Sequence, residues 1–246
     1  VTRTWSRVAP FAIAALALTA CGGQTSADAP TSASSSASAA TSSSTPTAEA
    51  IDRPEQEPKT LKQLEAALPT RDEAPRGWVE FEAKPSEDTR TAEPASCLAL
   101  YMDTPEQRTF EEAHKTGSAS VYYEQEDGDR PKPRIGVAAR TYDEPYPKEF
   151  FDTAGAVLDE CANHISQATK ESSRAEWHAS SIPTPAVGDQ SFGVRIGRPE
   201  VDLAHDYLWV RSGHTVVVVT MLTTYELTND ERLRKYAQGV LDDLAT

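Results

Sequence analysis

Residues 206–222 read DYLWVRSGHTVVVVTML, and this stretch decides the fold. Two runs of β-branched and aromatic residues flank Ser212-Gly213, a pair of the kind that closes a tight hairpin. From Val216 to Leu222 the second run is almost continuously apolar. A strand wetted on one side alternates apolar with polar residues, so an unbroken run predicts a central strand covered on both faces. Covered sheets need helices, and the chain supplies one at once. Thr228 to Glu231 has capping-box spacing, and Leu233, Tyr236, Ala237, Val240, Leu241 and Leu244 then fall on one helical stripe.

Working outward, weaker strands are expected near 174–180 and 190–196. A longer helix is expected at 147–164, with Phe150, Ala154, Val157, Leu158 and Cys161 on one face. Residues 118–125 and 135–142 read as paired strands across the turn-rich EDGDRPKP. Pro94 to Met102 reads as a short helix carrying Cys97 and Tyr101, and residues 78–83 as a strand. Thr60 to Gln63 opens a helix with Leu61, Leu64 and Leu68 on one face, ended by Pro69. The sum is an α+β domain over residues 60–246, an antiparallel-dominated sheet of six or seven strands packed by helices.

The first 59 residues have another character. Arg3 and Arg7 precede an apolar stretch, Val8 to Leu18, too short for a membrane span of about twenty residues. Its pattern is that of a secretory leader, residues 1–20. Leu18-Thr19-Ala20-Cys21 has the form of a bacterial lipobox, which makes Cys21 the expected site of lipidation. Bacterial lipoproteins carry two or three fatty acyl chains, such as palmitate, and at roughly 0.8 kcal/mol per buried CH₂ these form a stable anchor. From Gln24 to Ala50, 22 of 27 residues are Ser, Thr or Ala. Without large apolar side chains such a segment cannot repay the entropy of ordering, so residues 21–59 are expected to be a disordered tether.

Three cysteines are an odd number for an exported chain. With Cys21 taken by lipid, Cys97 and Cys161 remain, either as a disulfide, favoured in an oxidising compartment, or as two buried thiols. Formal net charge is −14. So acidic a chain repels the phosphate backbone, and nucleic acid is excluded as a partner.

Catalytic and metal motifs are sparse. Gly188-Asp189-Gln190-Ser191-Phe192-Gly193 resembles a nucleophile elbow only loosely, with Ser191 one position late, and a strand opening after a turn explains it better. His205 and Asp206 are adjacent, and on a strand adjacent side chains point to opposite faces, so Asp206 would not orient His205. Histidines 114, 164, 178, 205 and 214 lie on different elements without metal-ligand spacing. Asp127-Gly128-Asp129 lacks the spaced oxygen ligands of an EF-hand and reads as a solvated turn. No cofactor, metal site or catalytic residue is expected. Trp78, Tyr101, Tyr122, Tyr123, Trp177, Tyr207 and Trp209 are expected mostly in the core, with a few available to line a cleft.

Three stretches carry a family resemblance: SCLALY around Cys97, FFDTAGAVLDECANH around Cys161, and YLWVRSGHTVVVVTML with the helix after it. In layout the chain resembles actinobacterial lipoproteins and receptor-kinase ectodomains grouped as PknH-like sensor domains, over residues 60–246. It is also similar to the PsbP-like lipoproteins. The PknH-like resemblance implies an antiparallel sheet with a cleft, no catalysis, and binding of an extracellular ligand. The expected function is therefore a non-enzymatic binding or sensing domain. It would be lipid-anchored to the cell membrane through Cys21, face outside the cytoplasm, and recognise a small molecule, a lipid or an envelope protein. The alternative is a cell-envelope hydrolase whose site is assembled from scattered residues, Ser191 and His205 among them.

Overall fold

The hairpin read from residues 206–222 lies in the middle of a nine-stranded, wholly antiparallel sheet. The computed structural model describes residues 50–83, 89–127, 131–170, 172–183 and 186–246. Along the chain come α1 (Leu61–Ala66), β1 (Trp78–Glu80), β2 (Thr91–Glu93), a 3-10 helix (Ala95–Tyr101), α2 (Pro105–His114), β3 (Lys115–Gln125), β4 (Arg134–Tyr142) and α3 (Lys148–Ala156). Then follow β5 (Asn163–Gln167), β6 (Ala175–Ser181), β7 (Gln190–Arg198), β8 (Leu203–Ser212), β9 (Thr215–Thr223) and α4 (Asp230–Leu244). Strand order across the sheet is β1-β3-β4-β9-β8-β7-β6-β5-β2.

Each face carries its own core. On the first, Ile135, Val137 and Ala139 of β4, Leu208 and Val210 of β8, and Val217, Val219 and Met221 of β9 pack against the apolar stripe of α4 and Leu64 of α1. On the second, Val194 and Ile196 of β7, Trp209 of β8, and Val216 and Val218 of β9 pack with Leu100, Tyr142, Tyr146, Phe151 and Ala154. This is why Val216 to Leu222 is nearly unbroken in apolar character: successive residues fill different cores. Each fully buried aliphatic side chain contributes roughly 1.5–3 kcal/mol.

The sheet is wider than the six or seven strands expected. The two additional strands are β2, three residues long, and β5, whose inward side chains are the polar His164 and Ser166. Neither shows apolar alternation. The helix expected at 147–164 stops at Ala156, because the chain must turn before β5. The helix expected at Pro94–Met102 is 3-10, and Met102 ends it in the left-handed region. An unexpected helix, α2, carries a clear signal in retrospect: Thr104 and Gln107 cap it reciprocally and Pro105 opens it. The Thr60–Gln63 capping box forms, but Leu61 faces solvent.

At the hairpin the turn is Gly213-His214, one residue later than read, with Ser212 paired to Thr215. Gly213 has φ +52°, and a Cβ there would meet Gln56 O at 2.5 Å. That collision marks where the folded unit begins, ahead of Thr60. Gln56 is buried, its carbonyl accepts from His214 N at 2.8 Å, and its side chain donates to Asp189 Oδ1 at 2.9 Å. Lys59 Nζ donates to Leu244 O at 2.9 Å, meeting the carbonyl end of α4. Through Glu55, Gln56 and Lys59 the chain is thus already held to the domain before Thr60.

The N-terminus of α4 is held from inside the sheet. Asn229 is its cap by position but makes no side-chain cap bond, and the Thr228–Glu231 box does not form. Its amide donates instead to Asp206 Oδ2 and Thr223 Oγ1, each at 2.8 Å. Asp206 is fully buried and takes both arms of Arg195 at 2.7 Å. Arg195 also donates to the carbonyls of Tyr225 and Leu227. Removing one partner of such a pair strands the other charge, at a cost of about 3–5 kcal/mol. Asp206→Ala is therefore expected to lower unfolding free energy by about 3 kcal/mol in urea titrations, with Asp206→Asn losing less.

Candidate functional site

Cys97 and Cys161 form a disulfide, with Cα atoms 5.5 Å apart. It fastens the 3-10 helix to the turn that feeds β5, and four residues beyond Cys97 that helix presents Tyr101. Three residues beyond Cys161, β5 presents His164. The Tyr101 hydroxyl donates to His164 Nε2 at 2.7 Å, and His164 Nδ1 donates to Cys161 O at 2.9 Å. The carbonyl can only accept, which fixes the neutral tautomer of His164 and makes Nε2 the acceptor. Burial holds the His164 pKa below its ordinary value, consistent with that neutral ring.

This closed loop of contacts holds Tyr101 over the second face of the sheet. There β6, β7 and β8 place Trp177, Ile196, His205 and Tyr207 side by side, with Ile196 opposite His205 across the β7–β8 ladder. These side chains, with Arg90 and Ala168, wall a cavity of about 70 Å³. Ligand pockets for drug-sized molecules run to roughly 300–1,000 Å³, so this one takes the end of a ligand rather than a whole one. The rings stand mostly edge to face: Trp177 to His205 at 5.8 Å, Tyr101 to Tyr207 at 6.3 Å. His205 and Tyr207 are stacked at 6.2 Å, as two strand neighbours on one face can be.

Two partly buried polar groups of the cavity have few partners among the described residues. The guanidinium of Arg90 lies 4.0 Å over the Tyr101 ring and donates to Ser166 Oγ at 3.1 Å, but no carboxylate pairs with it among the described residues. His205 has no hydrogen-bond partner among the described residues, and burial beside the Arg90 charge pushes its pKa down to about 4. Its imidazole is neutral at physiological pH, with one donor and one acceptor. The phenols do not ionise either: burial pushes Tyr101 up to about 12 and raises Tyr207.

A much larger hollow, about 1150 Å³, lies on the other side of the sheet between the turn at Asp72–Pro75 and the start of α4. Its walls carry Glu73, Asp230, Glu231, Arg234 and Lys235, side chains of both signs that open to solvent. Size alone does not make a site. The small aromatic cavity has the desolvated polar groups.

The residues singled out from the sequence fall in several places. Trp177, Tyr207 and Tyr101 line the cavity, while Tyr123 is core and donates to Pro69 O at 2.8 Å. Trp209 is buried with its indole N–H unpartnered among the described residues, and Tyr122 lies against Gly136. Ser191 sits opposite Val210 on the first face, whereas His205 faces the second, so they do not form a nucleophile and base. Asp206 turns away from His205, to Arg195. His114 meets Asp143 at 3.0 Å, His178 meets Asn163 at 2.6 Å, and His214 meets Tyr142 O at 3.0 Å. Among the described residues no three His, Cys, Asp or Glu side chains gather as metal ligands. Cys21 and most of the Asp127-Gly128-Asp129 turn lie outside the described residues. Arg90 precedes a strand too short for the sequence to reveal, and His205, considered there as a base and as a metal ligand, is instead a wall of the cavity.

No family model and no curated protein matches the chain. Among solved structures, it is similar to the extracellular domain of PknH from Mycobacterium tuberculosis. Identity is 14%, the match spans 77% of this chain and 98% of that one, and the TM-score is 0.58. The two share a fold, so the PknH-like resemblance seen in the sequence holds at that level. The Rv0999 ortholog from Mycobacterium smegmatis matches over 72% of this chain and 93% of its own at 15% identity, with a TM-score of 0.39, too low to argue from.

Two outcomes are expected. A pKa lowered from 6.5 to about 4 means the unfolded chain takes up a proton that the folded one refuses, so His205 lowers stability as pH falls from about 6.5 to about 4. In the His205→Gln variant, melting temperature should decline less across that window than in the wild type, while His164 still contributes to both. Removing the disulfide as Cys97→Ala/Cys161→Ala opens a loop of 64 residues' separation. Loop entropy puts that cost at about 4 kcal/mol in denaturant titrations.

Proposed function

We propose that this chain is a membrane-tethered, non-enzymatic binding domain that recognises a small ligand outside the cytoplasm through the cavity of Tyr101, Trp177, His205 and Tyr207. The observation that carries this reading is the state of the polar groups there. A general acid or base works best with a pKa near ambient pH. Here the imidazole lies well below that range and the phenol of Tyr101 well above it, and among the described residues no carboxylate lines the cavity. Such a site offers hydrogen bonds and aromatic surface without offering a proton for transfer. The extracellular placement of the PknH domain with this fold supports the same placement here, as does the leader-like sequence ahead of Cys21. Acyl chains on Cys21 would anchor the domain, and the Ser/Thr/Ala segment would hold it off the membrane.

The hydrolase alternative has no observation in its favour, since Ser191 and His205 lie on opposite faces of the sheet.

Native mass spectrometry of the full chain, extracted gently from its producing cell, tests the binding reading. Extra mass that disappears on denaturation is the expected result, and a bare chain that also ignores small-molecule probes would sink it. For the anchor, Cys21→Ser is expected to shift the protein from the membrane fraction to the medium or leave it unprocessed; detergent-phase partitioning like that of the wild type would refute lipidation.

A further inference from the structure

Arg90 gives the cavity a chemical preference. The guanidinium is half-buried, lies over the Tyr101 ring, and is held by Ser166, with no acidic group paired to it among the described residues. Most other arginines of the domain are neutralised in the same structure: Arg108 by Asp103, Arg140 by Glu111, Arg195 by Asp206 and Arg198 by Glu200. In a chain of net charge −14, a half-buried cation facing an aromatic cavity, with no counter-ion among the described residues, is suited to receive an anionic ligand.

We propose that the cavity binds the carboxylate end of an organic acid, with the charge on Arg90 and a flat apolar group next to it packed against Trp177, His205 and Tyr207. This rests on the binding function argued above and narrows it to a substrate class. Arg90 is already stacked on Tyr101 and tethered to Ser166, so little rotamer freedom remains to be lost when an anion pairs with it. The neutral imidazole of His205 donates one further hydrogen bond to the same oxygens without adding charge. One guanidinium offsets one negative charge. A phosphate dianion would leave a charge uncompensated inside a negatively charged domain, so a monoanion is preferred. The small volume admits the head group and adjoining ring, leaving the rest of the ligand outside.

The test uses the full chain in a neutral detergent, titrated by calorimetry with benzoate, with benzamide as its uncharged counterpart, and with inorganic phosphate. Benzoate is expected to bind at least tenfold more tightly than either. Arg90→Gln should abolish that preference, bringing benzoate down to the level of benzamide, while Arg90→Lys retains part of it. Each variant's melting temperature should stay near the wild type, because among the described residues the Arg90 guanidinium bonds to Ser166 alone. Benzamide matching benzoate, or benzoate binding indifferent to Arg90→Gln, would overturn the carboxylate assignment while leaving a ligand-binding cavity in place. Phosphate binding as well as benzoate would overturn the monoanion preference. No uptake of any probe at millimolar concentration, together with no co-purifying mass, would overturn both the assignment and the binding function beneath it.

Discussion

Strict alternation along β8 is the constraint on which the molecule depends. A strand in the middle of a sheet covered on both sides must send every second residue to a different core. Ala204, Asp206, Leu208 and Val210 go to one face, and His205, Tyr207, Trp209 and Arg211 to the other. His205 and Asp206 are neighbours in sequence, yet one walls the cavity and the other fastens α4. A slip of one residue in the β7–β8 or β8–β9 register would exchange these sets, placing an unpaired carboxylate against the aromatic cavity and leaving Arg195 stranded. The Arg195–Asp206–Asn229 network therefore fixes register as well as helix position: its donors and acceptors are matched only in the observed alignment.

The disulfide acts on this framework from the other end. The 3-10 helix that delivers Tyr101 has the poorer hydrogen-bond geometry of its type, and β5, which delivers His164, is next to the sheet's edge strand. Neither element would hold a phenol over the sheet by itself. Cys97–Cys161 joins them, and the Tyr101–His164–Cys161 hydrogen bonds turn that link into a fixed orientation of the ring. The cation of Arg90 is then positioned by stacking on a ring that cannot swing away.

How much of this was legible follows from what each element is made of. The β8–β9 hairpin, β4 and the stripe of α4 carry strong apolar periodicity, because their side chains fill cores, and they lie where that periodicity puts them, the hairpin turn one residue later. The edge strand β2 has three residues and one buried alanine, and β5 turns a histidine and a serine inward. Hydropathy has nothing to read there. The cavity was half visible for the same reason: Tyr101, Trp177 and Tyr207 are conspicuous as aromatic residues, but their convergence depends on strands far apart in the chain. Arg90 was invisible, since an arginine in a polar loop looks like any solvated charge until the sheet closes beside it. The helix α2 is a different case, because its capping residues Thr104 and Gln107 were present to be read.

Local and global charge act in opposite directions at the cavity. At a Debye length of about 8 Å in physiological salt, most of the chain's negative charge is screened from a group held in the cavity. Arg90, partly shielded from water by Tyr101, would be screened far less from a carboxylate in contact with it. The acidic surface would then slow the approach of anions in general without weakening the one that reaches the guanidinium, and it would penalise a second negative charge more than the first. His205 sharpens this balance by remaining neutral. Were it protonated it would add a cation and admit dianions, and the same desolvation that makes the ring a wall of the cavity keeps that proton off until pH is near 4. The proposed preference for a single carboxylate would thus have its origin in burial on one face of β8, which is where the alternation of that strand places the ring.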